Sequence, residues 1–120
     1  MVMKTTKTPR KWLKYAREYS FNYQRTPMGK ARKLYRGMSY RVRKEPSYRG
    51  RKLLIDRADF FLWLFAETDF LKKFRRWKKT NFKKDFAPSI DRINNAGHYK
   101  FGNIQLLTVI EHREKSARER

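Results

Sequence analysis

The stretch PSIDRINNAGHYKFGNIQLLTVIEH, residues 88–112, decides the fold. Ser89-Ile90-Asp91-Arg92-Ile93, opened by Pro88, reads as a short strand. Asn94 to Gly102 carries two Gly and two Asn, the punctuation of a polar loop. Ile104-Gln105-Leu106-Leu107 then reads as a second strand. Thr108-Val109-Ile110-Glu111 spells a capping box, with Thr at the N-cap and Glu three residues on, so a helix should run from about Val109 to near the end. The expected order is strand, loop, strand, helix.

Upstream, the pattern turns helical. Asp56 is a good N-cap, and Asp59 falls in the favoured acidic first turn. The run from Phe60 to Phe65 is apolar all round, as in a buried helix. Thr68 or Asp69 can cap a following helix whose apolar side is Phe70, Leu71, Phe74 and Trp77. Lys72, Lys73, Arg75, Arg76, Lys78 and Lys79 form its other side, for phosphate contact or plain solvation. Further back, Ala31, Leu34, Tyr35, Met38 and Val42 recur at helical spacing, and Pro46 to Gly50 is a loop. Thr26-Pro27-Met28-Gly29 breaks the chain before that helix. An earlier helix starts near Pro9, with Trp12, Tyr15, Ala16 and Tyr19 as its stripe. The expected fold is α+β: a basic helical extension over residues 1–50, then residues 51–120, with the strand–strand–helix core at 88–120.

The charge points to a partner. Among 120 residues there are 32 Lys and Arg against 11 Asp and Glu, a net charge of +21. Such self-repulsion opposes compaction unless a polyanion neutralises it. Nucleic acid is the first candidate and an acidic membrane surface the second. The aromatic content of 16% argues against a disordered basic tail, because disordered segments are poor in aromatics. With no Cys, disulfides, thiolate zinc sites and cysteine nucleophiles are excluded. The longest apolar run, Phe60 to Ala66, is far short of the roughly 20 residues a membrane helix needs. The N-terminus has no apolar segment of the signal-peptide kind, so a cytoplasmic protein is expected.

Two His remain for chemistry, His98 and His112. Asp91 on the first strand and His112 in the first turn of the last helix could face one cleft. A carboxylate and an imidazole with open positions suit Mg²⁺ or Mn²⁺, with Zn²⁺ as the alternative. Asn103, at the return of the loop, could hold the loop backbone or a ligand. On spacing alone the signal is weak, since a lone His on a basic helix more often faces solvent than binds a metal.

Residues 88–108 resemble the ββα-metal core of HNH-type endonucleases, closest to a small phage- and intron-associated subgroup whose first motif reads Asp-Arg-Ile. Gly97, Tyr99, Asn103 to Leu107 and the polar residue at 112 fall where that subgroup has them. The resemblance extends over roughly 52–118 through Phe60, Trp63, Phe70, Trp77 and Pro88. It implies that Asp91 is the metal-binding acid and that His112 is the final ligand. It also implies that Asn103 supports the loop and can assist at the metal. Arg92 stands where many such enzymes carry the His general base. A guanidinium stays protonated, so Arg92 cannot accept a proton and would instead clamp the scissile phosphate. His98 is then the first candidate base, Tyr99 the second, and water activated by the metal the third.

The function expected on this resemblance is metal-dependent hydrolysis of DNA to a 5′-phosphate and a 3′-hydroxyl, in a phage or mobile-element protein working in the host cytoplasm. Double-stranded DNA would be held through phosphates by Arg10, Lys11, Lys14, Arg32, Lys33, Arg36, Arg41, Arg43, Lys72, Arg76, Arg113 and Lys115. The alternative is a non-catalytic basic protein that binds DNA or RNA.

Overall fold

A computed structural model describes residues 10–119. Helices α1 (Arg10–Gln24) and α2 (Pro27–Lys44) are followed by a 3-10 turn at Pro46–Tyr48 and by α3 (Arg57–Glu67) and α4 (Phe70–Lys79). A second 3-10 turn at Lys84–Phe86 leads into β1 (Pro88–Arg92), β2 (Ile104–Thr108) and α5 (Val109–Arg118). The fold is α+β, with a single two-stranded antiparallel sheet among the described residues.

Caps set most of these boundaries. Thr26 accepts from the Gly29 amide at the start of α2, where Pro27 fills the first turn without needing a donor. Asp56 accepts from Ala58 N and starts α3. Between α3 and α4 the N-cap residue is Asp69, but the side-chain cap comes from Thr68, whose Oγ1 accepts from Phe70 N. The capping box of α5 is complete: Glu111 N donates to Thr108 Oγ1 and Thr108 N donates to the Glu111 carboxylate.

Pro88 pairs with Thr108 and Arg92 with Ile104, so the sheet starts at Pro88 and ends one residue before the expected Ile93. Backbone hydrogen bonds Val109 N→Ala87 O and Ile93 N→Asn103 O extend the ladder at both ends. A parallel bridge between Leu53 and Tyr99, which local pattern does not foretell, ties the loop to the segment before α3. Leu54 N donates to Tyr99 O and Tyr99 N donates to Lys52 O.

The core joins both parts of the chain. Ala31, Leu34 and Met38 of α2 are buried with Phe60, Leu64, Phe70, Phe74 and Trp77, and with Ile90, Ile104 and Leu106 of the sheet. Each large apolar side chain buried there contributes about 1.5–3 kcal/mol. Tyr35 of α2 donates its hydroxyl to Ile55 O. Helix α2 is therefore part of the folded unit, and the expected boundary at residue 50 does not mark a break in packing. The expected stripe on α1 differs too: Trp12, Tyr15 and Ala16 are exposed, and the side chain of Tyr19 lies outside the described residues. With only two short strands, the sheet depends on this helical layer to bury its inner face.

Candidate functional site

Asp91 is centred in β1, opposite Gln105 of β2. Its side chain is 2% exposed, and three partners hold the carboxylate. His112 Nε2 lies 3.2 Å from Oδ1, Lys115 Nζ lies 3.0 Å from Oδ2, and Gln105 Nε2 donates to Oδ2 at 2.8 Å. His112 and Lys115 are three residues apart on α5, so both reach the same side of the helix. The capping box fixes where α5 starts and so aims that side at β1. The structure thus brings the Asp91 and His112 side chains together.

Lys115 was expected to face DNA. Its ammonium instead turns inward, donating to Arg92 O at 3.1 Å and pairing with Glu119 at 3.4 Å besides Asp91. Desolvation pulls its pKa down, but the hydrogen bonds and charges of Asp91 and Glu119 outweigh this and raise it above the usual lysine value. A desolvated carboxylate needs such compensation.

Asn103, also buried, acts as the clasp of the loop. Its Oδ1 accepts from Asn94 N at 2.8 Å, and its Nδ2 donates to His98 O at 2.8 Å and Asn94 O at 3.1 Å. Gly97 is required beside it, since a Cβ there would lie 2.6 Å from Asn103 Nδ2. All three side-chain hydrogen bonds of Asn103 go to the loop backbone, and none goes to Asp91.

Arg92 departs from its expected role as a phosphate clamp. It is only 7% exposed, with Nη1 donating to Gly97 O at 2.9 Å and the guanidinium 4.2 Å from the Tyr48 ring centre. Tyr48 and Tyr99 stack with ring centres 6.0 Å apart, and Arg92 caps the pair. The guanidinium satisfies the loop rather than facing solvent. Tyr48 lies far away in sequence, and no local signal pointed to it.

The two candidate side-chain bases are placed unfavourably for that task. His98 Nδ1 accepts from Lys52 N at 3.0 Å, so the proton of the neutral ring sits on Nε2, which is then a donor. A general base needs a free lone pair within reach of water. Burial, with the hydrogen bond to Tyr48, pushes the Tyr99 hydroxyl up to about 12 despite the opposing pull of Arg41.

The donor set determines what metal the site could take. Among the described residues no three His, Cys, Asp or Glu side chains converge. Asp91 Oδ1 and His112 Nε2, 3.2 Å apart, fit two adjacent positions around a divalent cation, with other positions left to water and phosphate. Binding there requires His112 Nε2 without its proton. It also brings a second positive charge next to Lys115.

Apart from Lys115, the expected DNA contacts fall into three groups. Lys14, Arg32, Lys33, Arg36, Arg43, Lys72 and Arg76 are exposed. Arg41 is half-buried with Nη1 3.4 Å from the Tyr99 hydroxyl, and exposed Arg113 pairs with Asp85. The side chains of Arg10 and Lys11 lie outside the described residues. Among the described residues no helix is long and apolar enough to cross a membrane. Neither a family model nor a curated protein nor a solved structure matches the chain.

Gln105 was not foreseen, although a polar residue between Ile104 and Leu106 on a strand is a signal. Its register partner is Asp91, and it orients that carboxylate.

Proposed function

We propose that the chain is a metal-dependent endonuclease of the HNH-like kind that acts on double-stranded DNA. The observation that carries this reading is the antiparallel hairpin and following helix that bring Asp91 and His112 within 3.2 Å. The net charge of +21 supports a polyanionic substrate.

In this reading Asp91 and His112 hold Mg²⁺ or Mn²⁺. A divalent ion held there supplies positive charge beside the scissile phosphate and makes a nearby water more acidic. The chain's own residues position that chemistry. Gln105 orients the Asp91 carboxylate, and Asn103 fixes the loop that carries His98. His98 Nε2–H is a donor that can meet a phosphate oxygen. With Nδ1 of His98 engaged by the Lys52 amide and the Tyr99 hydroxyl raised to about 12, neither side chain is suited to take a proton from water. Basic side chains of α1, α2 and α4 hold the duplex through its phosphates, which positions it with little sequence preference.

The second reading is a DNA-binding protein that does not cut. Lys115 favours it, because its ammonium already gives Asp91 a counter-charge at 3.0 Å. A supercoiled-plasmid assay separates the two. Nicking in Mg²⁺ or Mn²⁺ that EDTA stops supports the nuclease. A retarded but uncut plasmid under all metal conditions supports the second reading.

A further inference from the structure

A groove of about 800 Å³ runs between α2, the end of α4, the start of β1 and the first residue of α5. Arg25, Lys30, Lys33, Arg36, Arg41 and Lys84 line it, and none of its lining residues is acidic. Leu34, Trp77, Phe82 and Val109 supply its apolar floor. The next most basic cavity, beside Tyr23 and Tyr35, has three cationic side chains, Arg32, Arg36 and Arg57.

Lys30 is the unusual member. It is 92% removed from solvent, with 8% exposure, and its ammonium lies 5.0 Å from the Trp77 ring centre. None of the ion pairs among the described residues includes it. Burial, then the charge of Lys33, lowers its pKa to about 8, so it is still mostly charged at neutral pH. The Trp77 face offsets part of the cost of burying this ammonium, and no carboxylate offsets the rest. Phe82 on the same floor has φ 60, a left-handed backbone that a bulky side chain rarely adopts. Its ring is held there edge-on to Trp77, with centres 4.9 Å apart. A cation paired only with an aromatic ring and a left-handed Phe meet in this one groove, and an anion would give the ammonium the counter-charge it lacks.

One lining residue is close to Asp91 in sequence and on the strand. Ser89 lies at its edge, two residues before Asp91 on β1 and therefore on the same side of the strand, about 7 Å away.

We propose that this groove holds a backbone phosphate of the bound DNA strand beside the Asp91–His112 pair, with Lys30 as the innermost contact. This rests on the DNA-binding part of the proposed function and does not depend on cleavage. The six cations match a polyanion, and the apolar floor accommodates the sugar of the same nucleotide.

The test is DNA affinity across a salt series, by anisotropy of a labelled duplex, together with thermal melting of each protein. Lys44→Met is the charge-matched control, exposed and roughly 21 Å along α2 from Lys30. Lys30→Met should raise the melting temperature, weaken DNA binding about tenfold more than the control, and reduce the salt slope by about 0.9. The double change Lys33→Gln with Lys84→Gln, on the exposed rim, should reduce the slope by about 1.8 and serves if Lys30→Met folds poorly. A Lys30→Met or rim variant that matches the control in affinity and slope overturns the groove. Competition by inorganic phosphate beyond that of chloride at equal ionic strength, lost in Lys30→Met, would assign the groove to free phosphate and overturn the DNA assignment. Wild-type protein that binds DNA without salt dependence would remove the DNA reading itself, and this proposal with it.

Discussion

Replacing Lys115 by Met should exchange an internal cation for an external one. At 3.0 Å, an ammonium and a carboxylate attract by about 5–6 kcal/mol in a medium of effective dielectric near 20. Desolvation of both groups offsets much of that. Removing one partner of a buried pair costs about 3–5 kcal/mol, because the other charge remains buried. His112 and Gln105 stay on Asp91 and soften the loss, so the lower figure, about 3 kcal/mol, is expected for Lys115→Met without metal. For a chain of this size that is roughly a 10 °C fall in melting temperature. Mn²⁺ should reverse it, since Asp91 then has both oxygens free of an ammonium. At one hundred times its dissociation constant a ligand restores about 2.7 kcal/mol. Calorimetric titration should show Mn²⁺ binding at least about tenfold tighter in Lys115→Met than in wild type, a difference of about 1.4 kcal/mol. Two results would refute the reasoning. One is a variant as stable as wild type in EDTA; the other is a variant whose melting and Mn²⁺ affinity match wild type throughout.

Asn103→Ala should lower stability by about 2 kcal/mol, since it leaves the His98 carbonyl and the Asn94 amide unpartnered while Asn94 O keeps the Gly97 amide, and chemical denaturation measures this. Thr108→Ala removes the cap of α5 and should cost about 1 kcal/mol by the same measurement, with a larger proportional loss of DNA cleavage because α5 carries His112. The folded-state pKa of Lys30, about 8, lies below the unfolded value of 10.5, so the unfolded chain binds more protons between those values. Stability should therefore rise with pH from about 8, by up to about 3 kcal/mol, relative to Lys30→Met, whose profile should lack this rise. Lys33, Arg25, Arg36, Arg41 and Lys84 line the same groove, and the arginines stay charged throughout, so the difference profile isolates Lys30. Tyr99, raised to about 12, acts in the opposite sense: the folded state keeps its proton above pH 10, and stability falls there in both proteins.

The elements most legible in the sequence were those with local signals. The capping box at Thr108, the Asp56 cap and the helical spacing of Phe70, Phe74 and Trp77 gave α5, α3 and α4 directly. The hairpin followed from two β-type runs around a Gly/Asn loop. From these alone, Asp91 and His112 could be placed face to face. What remained hidden depends on long-range contacts. Arg92 needed Tyr48, more than 40 residues earlier, to become a buried loop support. His98 needed the Lys52 amide to fix its tautomer. Lys115 was legible in principle, because three residues from His112 on a helix means one shared side. Net positive charge made every Lys look outward, and a single buried acid was enough to turn this one inward. The burial of Lys30 is invisible locally, since it depends on α4 and the Phe82 turn closing over α2.

The most direct test is to measure single-turnover cleavage and DNA affinity on the same samples of wild type, Asp91→Asn and His112→Ala, in Mg²⁺ and in Mn²⁺. A metal-dependent nuclease centred on these two residues predicts cleavage by wild type only. It also predicts DNA affinity within about threefold across all three proteins, a difference of less than 1 kcal/mol. Cleavage by both variants at the wild-type rate, or no cleavage by wild-type protein that binds DNA fully, would contradict it.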